Sequence, residues 1–204
     1  DIRMRFDISH YMLNSLLKLN FNLVQQWHKN SVTNASSTGF ANTYRQAVLR
    51  NPTSPVYNED GSYNENFGAN EYYNPVELIN ERDENYNYSQ TRATGNITLE
   101  PIKGWKTNLM LATNRFTSHN RSYYTSKYWE CILSGYGGAA YHTSDENRTD
   151  NLEITTRYDF NIRKHRMDAL AGYSYQFYTW EKFAANNKNF PISFNGIIWV
   201  PVPS

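Results

Sequence analysis

Aromatic side chains are dense in residues 122–141, which read SYYTSKYWECILSGYGGAAY. The flat rings of tyrosine and tryptophan can stack on sugar rings, and their polar atoms can form hydrogen bonds. The same rings can instead pack neighbouring loops against one another, and the sequence leaves both interpretations open. Long loops on a rigid scaffold often carry binding residues. The candidates for ligand contact are Tyr123, Tyr124, Tyr128, Trp129, Tyr136 and Tyr141.

Residues suited to catalysis occur elsewhere without the spacing that catalysis needs. Cys131 is the single cysteine, and nothing in the sequence supports its pairing with His142 as nucleophile and base. The five histidines lack the spacing of a zinc site. Acidic pairs such as Asp145-Glu146 are typical of solvated loop charge. We therefore expect a protein that is not an enzyme and has no catalytic residues.

Two further segments could hold a metal ion or a cofactor. Residues 58–66, NEDGSYNEN, hint at a calcium loop, but Val56 and Phe67 occupy the positions that need Asp and Glu. Residues 134–140, SGYGGAA, are rich in glycine but do not lead from a strand into a helix, as a phosphate loop would. The sequence therefore predicts neither a metal site nor a cofactor.

Residues 151–177 alternate apolar and polar side chains with a period of two, apart from a four-residue interruption, RKHR. Leu152, Ile154 and Tyr158 fall on one face, and Arg157 and Asp159 fall on the other. In the second half, Leu170 is the single apolar residue on the polar face. Such alternation predicts two strands, each with one apolar face, joined in an antiparallel hairpin.

The same hairpin pattern occurs three times along the chain. The pattern predicts tight turns at residues 10–15, 101–104 and 163–166. It predicts long connections at residues 29–85, at residues 119–148 and from Glu181 onward. Connections of this length are unusual in a compact soluble domain and usually carry function.

The first long connection contains two predicted helices. Residues 38–52 favour a helix capped by Thr38, with an apolar face formed by Phe40, Tyr44, Ala47 and Val48. A second short helix is predicted to follow Asn74 as its cap, because Pro75 suits the first helical position.

The overall composition limits the class of protein. The formal net charge of +1 indicates no strong attraction to nucleic acid. The hydrophobic fraction is only 39%, whereas the aromatic fraction is 16%. Disordered chains are usually poor in aromatic residues, so this composition favours a β protein with one face in water.

Alternating strands joined by short turns and long loops are typical of outer-membrane β-barrels. We predict an all-β fold, an antiparallel meander forming part of a large transmembrane outer-membrane β-barrel, with long extracellular loops carrying short helices. The alternative is a secreted or surface β-sandwich that binds carbohydrate, and a barrel hydrolase is a weaker third. Aromatic residues near the strand ends fit interfacial girdles; they are Trp27, Trp105, Tyr173, Tyr175, Phe177 and Trp180.

Four segments, in this order, resemble the SusC/RagA family of TonB-dependent outer-membrane transporters. They are NPTSPVYNEDGSY at 51–63, NPVELIN at 74–80, GNITLEPIKGWKTNLMLA at 95–112 and YSYQFYTWEKFAANNKNFP at 173–191. No single segment is diagnostic, and the ordered set carries the resemblance.

The resemblance implies a plugged barrel of about 22 strands in the outer membrane. It also implies a SusD-like lipoprotein partner, uptake of glycan or peptide fragments, and energy from the TonB complex. We expect residues 1–190 to form part of such a barrel, with about six strands. The plug and the TonB box are not recognisable in this sequence, so the TonB complex is expected to act through parts absent from this chain.

Residues 191–204 depart from the pattern of the family, which continues with W-D-N-L-G-A-G-T. One back-translation of residues 195–203, read two bases later, encodes that text. This coincidence predicts a frameshift near residues 191–195, in the gene or in the sequencing. The chain is therefore expected to be a fragment that does not transport by itself.

Overall fold

The computed structural model describes residues 1–31, 42–65 and 73–189. Within them lie six strands and three helices, whose bounds follow in chain order: β1 Ile2–Met12, β2 Leu17–Ser31, α1 Thr43–Leu49, α2 Pro75–Asn80, β3 Arg82–Ile102, β4 Trp105–Thr125, α3 Trp129–Ser134, β5 Gly138–Ile162 and β6 His165–Lys188. The strands form one sheet in the order β1-β2-β3-β4-β5-β6. The predicted all-β antiparallel meander, with short helices in its long connections, is confirmed.

The register of β1 and β2 separates the two faces of the first hairpin. Phe6 lies opposite Leu23 and Ile8 opposite Phe21, so apolar side chains share one face. On the other face Ser9 Oγ donates to Asn20 Oδ1 at 2.9 Å. The period-two alternation of the sequence therefore becomes an apolar face and a polar face, as predicted.

The same separation holds between β5 and β6. Arg157 contacts Asp159 at 3.1 Å and Asp168 at 3.7 Å, so these charged side chains share one face, as predicted. Tyr158 stacks on Phe160 at a centroid distance of 5.5 Å on the opposite face.

All three hairpin turns are shorter than predicted. The strands are separated by residues 13–16, 103–104 and 163–164 alone, whereas the sequence predicted turns at 10–15, 101–104 and 163–166. Gly104 has φ +89°, and its carbonyl accepts a hydrogen bond from Asp159 N at 2.7 Å. The carbonyl of Leu16 accepts from Glu100 N at 2.8 Å. Neighbouring hairpins are thus bonded to each other at the turns.

The strands run further into the long connections than the sequence predicted. The connections span residues 32–81 and 126–137 rather than 29–85 and 119–148, and β6 continues past Glu181 to Lys188. The added segments, such as residues 82–85, are polar on both faces. They show no amphipathic period, because neither of their faces is apolar. Backbone hydrogen bonds between strands and polar cross-strand pairs stabilise these segments in place of an apolar face.

The helices agree in part with the sequence. Helix α2 begins with Pro75 after the predicted cap Asn74, whose side chain accepts from Val76 N. Helix α1 is capped by Asn42 rather than by Thr38, which lies outside the described residues. Its predicted apolar face was wrong, because Tyr44 and Val48 are exposed. The buried residues of α1 are polar ones, Thr43 and Gln46.

The β-sandwich alternative requires two sheets that bury their apolar faces against each other. The described residues form a single sheet, and Ile154 and Tyr175 are 40% and 54% exposed. We therefore discard the sandwich. None of the helices in the described part of the chain is long and apolar enough to cross a lipid bilayer.

The chain divides into two compact units. Unit 1 consists of Asp1–His28, Tyr88–Ser118 and Asp145–Lys182, and it contains the three hairpin turns with the strand segments beside them. Unit 2 holds the helices, the long connections and the strand ends that flank those connections. The buried side chains of the hydrophobic core lie in unit 2.

Candidate ligand-binding site

Helix α3 positions the aromatic residues of the second long connection. It ends at Gly135, whose φ of +69° is readily adopted only by residues such as glycine. The N–H of Tyr136, one residue later, donates to the carbonyl of Cys131 at 2.8 Å. This closure of the helix turns the chain sharply and fixes the position of Tyr136 beside α3.

The candidate rings surround a small core in unit 2. Its buried members come from both long connections and from the start of β5; they are Tyr73, Leu78, Tyr128, Cys131 and Ala139. Four partly buried rings pack against this core: Tyr124, Trp129, Tyr136 and Tyr141. We call these nine residues the aromatic cluster.

Stacking organises the aromatic cluster. Tyr73 stacks on Trp129 with a centroid distance of 4.4 Å, which joins the first long connection to α3. Tyr124 stacks on Tyr128 at 4.5 Å and contacts Tyr141 at 5.7 Å. Aromatic pairs of this kind contribute about 0.5–1.5 kcal/mol each beyond their buried area.

The six predicted ligand-contact residues are not equally accessible. Tyr123 and Tyr128 are 8% and 2% exposed, so both are buried in the fold. Trp129, Tyr136 and Tyr141 are half-buried, as is Tyr124, and each presents part of its surface. Five of the six belong to the aromatic cluster, so both the buried and the partly exposed rings take part in packing.

A buried carboxylate holds α3 against the first long connection. Glu77 of α2 has no exposed surface, and its Oε1 accepts from Trp129 N, at the start of α3, at 2.7 Å. Its Oε2 has no hydrogen-bond partner in the described part of the chain. Burial raises the pKa of Glu77 to about 8, and the nearby carboxylates of Glu65 and Glu81 also raise it. The hydrogen bond from the Trp129 N–H lowers this pKa, but by less than burial raises it.

Two more carboxylates brace the first long connection. Glu65 accepts from Asn74 N at 2.8 Å, and burial raises the pKa of Glu65 to about 7. Glu81 accepts from the hydroxyl of Tyr63 at 2.8 Å, and the carbonyl of Glu81 accepts from Thr125 N at 3.0 Å. These bonds tie residues 58–65, helix α2 and the end of β4 into one structure.

The chemistry of Cys131 is that of a core residue. The thiol is fully buried, and burial raises its pKa to about 11, reinforced by the charge of Glu130. A reactive cysteine needs a lowered pKa and solvent access.

The residues that the structure describes hold no group of three or more His, Cys, Asp or Glu side chains that could bind a metal ion. In the segment that hinted at calcium, Asp60 instead accepts from the backbone and hydroxyl of Ser62 in a turn.

Three members of this region were missed by sequence analysis. Tyr73 lies far from residues 122–141 in the sequence, and no local pattern links it to Trp129. Glu130 lies within the aromatic-rich residues 122–141, but the sequence predicted no role for it. Lys188, at the end of β6, lies over the rings of Tyr136 and Tyr141. Only the pairing of β5 with β6 brings it there.

We compared the chain with known proteins. No model of a protein family matches the sequence, and no curated protein matches it. Solved structures do match, among them structures of a peptide transporter. The "RagAB peptide transporter" structure superposes with a TM-score of 0.71 and 18% identity, over 99% of this chain and 23% of that chain.

Two further structures match similarly. The RagAB peptide importer in the "open-open" state has a TM-score of 0.69 at 17% identity, covering 99% of this chain and 22% of that chain. In the "closed-closed" state the TM-score is 0.67 at 18% identity, with 99% and 23% covered. This chain therefore spans less than a quarter of the transporter chains that it resembles, and at this identity the likeness is one of fold.

Proposed function

We propose that this chain forms part of the wall of a SusC/RagA-type, TonB-dependent importer in the outer membrane. The observation that carries the proposal is a pair of features on one face of the sheet. The first is an exposed apolar band that includes Leu109, Leu111, Leu152 and Ile154. The second is a polar collar beside it, formed by Thr113, Arg115, Glu146, Arg148 and Asp150. The similarity in fold to part of a peptide transporter supports the proposal.

The apolar band lies in unit 1. Trp105 Nε1 donates to Thr156 Oγ1 at 2.8 Å, which places odd-numbered residues of β4 beside even-numbered residues of β5. Leu109 and Leu111 share that face on β4, and Leu152 and Ile154 share it on β5. Leu111 is 50% exposed, so nothing in the described part of the chain covers the band. Lipid hydrocarbon is the environment that such a face requires.

The polar collar follows directly along the same strands and on the same face. Thr113 Oγ1 donates to Asp150 Oδ1 at 2.7 Å, and Arg148 pairs with Asp150 at 2.9 Å. Arg115 pairs with Glu146 at 2.6 Å. Charged groups avoid hydrocarbon because leaving water is costly there. The collar therefore marks the expected boundary between hydrocarbon and headgroups.

The length of the band fits a bilayer. On β5 the residues from the collar to the turn are 152–162, and a tilted strand needs roughly 9–11 residues to span a membrane. The described strands extend well beyond this length, so their remaining segments would stand in water, as in large barrels.

The finer parts of the proposal follow the family resemblance. We infer a SusD-like lipoprotein as partner and glycan or peptide fragments as substrate, with the TonB complex acting on other parts of such a transporter. The half-buried rings Tyr124, Trp129, Tyr136 and Tyr141 are the proposed ligand contacts. Tyr123 and Tyr128 would support them from within the fold.

A matched pair of arginine substitutions tests membrane insertion. Ile154 lies in the apolar band, whereas Leu170 is an exposed apolar residue on the opposite, polar face. In phosphatidylcholine vesicles, Ile154→Arg should lower the free energy of unfolding by about 2–4 kcal/mol, the cost of arginine near the midplane. Leu170→Arg should change it little. Equal effects of the two substitutions would overturn the proposal.

A further inference from the structure

Two histidine rings lie together on neighbouring strands of unit 2. His119 belongs to β4 and His142 to β5, and their ring centroids are 6.3 Å apart with an interplanar angle of 46°. His119 Nδ1 and His142 Nε2 are buried, and neither has a hydrogen-bond partner in the described part of the chain. Leaving a buried polar atom unpaired is costly, so each of these nitrogens calls for a ligand that the fold itself does not supply.

The pairing of β3 with β4 brings a third polar side chain to the same face. The hydroxyl of Tyr124 donates to Glu84 Oε1 at 2.8 Å, and the rings of Tyr88 and Phe116 are 5.4 Å apart. Both contacts join even-numbered residues of the two strands, so odd-numbered residues share the opposite face. Asn87 of β3 is one of these odd-numbered residues.

Asn87 and His119 lie between those two contacts along their strands. Asn87 Oδ1 is buried and, like the two imidazole nitrogens, has no hydrogen-bond partner among the described residues. Three consecutive strands therefore each place one buried, unpaired polar atom on one face of the sheet: Asn87 on β3, His119 on β4 and His142 on β5. Imidazole nitrogen and amide oxygen can both bind a divalent metal ion.

The separation of the two imidazole rings suits a shared metal ion. Metal–nitrogen bonds of about 2.0–2.1 Å on both sides place two imidazole centroids at most about 6.4 Å apart, when the ion lies directly between them. The observed 6.3 Å lies within this limit and fits two opposite ligands of an ion with tetragonal geometry. Tetragonal ligation by nitrogen and oxygen is typical of Cu²⁺ and Ni²⁺, whereas Ca²⁺ prefers oxygen ligands alone.

The surroundings keep the pair accessible and favour the form that binds a metal. Burial lowers the pKa of His142, and the charges of Arg121 and His119 lower it further. Neutral imidazole is the metal ligand. The charge of Arg121 also opposes a bound cation, so the affinity must come from the bonds to nitrogen. His119 follows the collar residue Arg115 along β4, and His142 precedes Glu146 along β5, so both lie in segments proposed to stand in water.

We propose that His119 and His142 together bind one Cu²⁺ or Ni²⁺ ion, with Asn87 as a weaker third ligand and water completing the coordination. Among the described residues no group of three or more His, Cys, Asp or Glu side chains could bind a metal ion, so the two imidazoles are the strong ligands. The ion joins β3, β4 and β5 where polar residues on both faces of the strands provide no apolar packing. This proposal goes beyond the importer function and does not depend on it.

The test uses the 204-residue chain refolded in detergent micelles with one equivalent of Cu²⁺. Electron spin-echo envelope modulation counts the imidazoles on Cu²⁺, and competition with a chelator measures the affinity. The parent chain should show two imidazoles. His119→Gln and His142→Gln should each show at most one and bind about a hundredfold more weakly, because the second of two linked ligands binds at a high effective concentration. Asn87→Asp should bind about tenfold more tightly, because a carboxylate adds a negative charge.

His165→Gln is the matched control, because His165 is an exposed histidine at the start of β6. It should leave the imidazole count and the affinity unchanged, and circular dichroism checks the strand content of every variant. Cu²⁺ bound through one imidazole or none in the parent chain would overturn the inference, whether or not the variants fold. Two imidazoles in His119→Gln, equal weakening by His165→Gln, or displacement of Cu²⁺ by equimolar Ca²⁺ would also overturn it. Unchanged affinity in Asn87→Asp would overturn the part assigned to Asn87.

Discussion

Glu77 shows how one buried side chain can set a pH dependence. Its folded pKa of about 8 exceeds the ordinary glutamate pKa of 4.5, mainly through burial, so the folded state binds this proton more tightly than the unfolded state. Ionisation inside the fold is unfavourable. The contribution of Glu77 to stability is therefore complete below pH 4.5 and is lost as the pH rises to about 8.

We expect Glu77→Gln to flatten this dependence. Glutamine keeps an oxygen that accepts from Trp129 N but cannot ionise. Urea unfolding in micelles between pH 4 and pH 9 should show the parent losing a few kcal/mol, at about 1.4 kcal/mol for each unit of pKa difference, and the variant losing less. Some loss should persist, because burial also raises the pKa of Glu65. Glu59→Gln, at an exposed position, should keep the parental slope; identical slopes for all three proteins would contradict the expectation.

Trp129 combines a packing role with the proposed binding role. Trp129→Ala removes the stack on Tyr73 and should weaken ligand capture without preventing strand assembly. Binding of maltotriose and of trialanine, one probe for each proposed substrate class, and strand content by circular dichroism measure the two effects separately. Trp180→Ala, at an exposed position of β6, is the control and should change neither. Unchanged affinity in Trp129→Ala, or loss of strand content, would reject a ligand role for Trp129.

At the scale of elements, the turn between β3 and β4 lies close against the backbone of β5. A Cβ added at Gly104 would lie 2.7 Å from the carbonyl oxygen of Asp159, and φ there is +89°. Gly135, at the end of α3, also has a positive φ, but a Cβ there would meet nothing within 4 Å. The two positions share the conformational requirement and differ in space.

Alanine substitution should separate these two effects. Gly135→Ala should cost about 1–2 kcal/mol, the strain of a left-handed conformation. Gly104→Ala should cost more, because the backbone of β5 must move and the bond from Asp159 N to Gly104 O is disturbed. Urea unfolding in micelles measures both. A smaller loss of stability at Gly104 than at Gly135 would show that the backbone of β5 can move away from the turn at little cost in free energy.

At the scale of the whole molecule, an apolar face and two strand edges have no partners among the described residues. In the described sheet β1 pairs only with β2 and β6 only with β5. Side chains such as Phe6, Tyr173 and Phe177 are more than half exposed. Soluble monomers rarely carry so large an apolar patch, and open edges pair readily with other chains.

We therefore expect the chain to aggregate in detergent-free buffer and to become monodisperse in micelles. Sedimentation and light scattering before and after detergent addition measure this. Arginine at both Ile154 and Tyr175 should reduce aggregation in buffer and prevent insertion into vesicles, because both substitutions place charge in the apolar face. A stable monomer in buffer without detergent would show that the face is covered in a way the described residues do not reveal.

The sequence by itself determined the strands of the hairpins and their two faces. Period-two alternation is a local property, so residues 151–177 specify which side chains share a face before any partner strand is known. The cap of α2 was equally predictable, since Asn74 and Pro75 act on their own neighbours. The segments 82–85 and 142–148 escaped prediction because polar residues on both faces carry no period.

Only the tertiary structure decided which aromatic residues are buried and what surrounds them. Tyr73 meets Trp129, Glu77 caps α3 and Lys188 reaches Tyr136 because distant segments come together, and no local pattern encodes those contacts. The same reason explains α1, where burial of Gln46 and exposure of Tyr44 reverse the expectation from side-chain polarity. Local periodicity sets the face of a strand, whereas the environment of a loop residue depends on everything that folds against it.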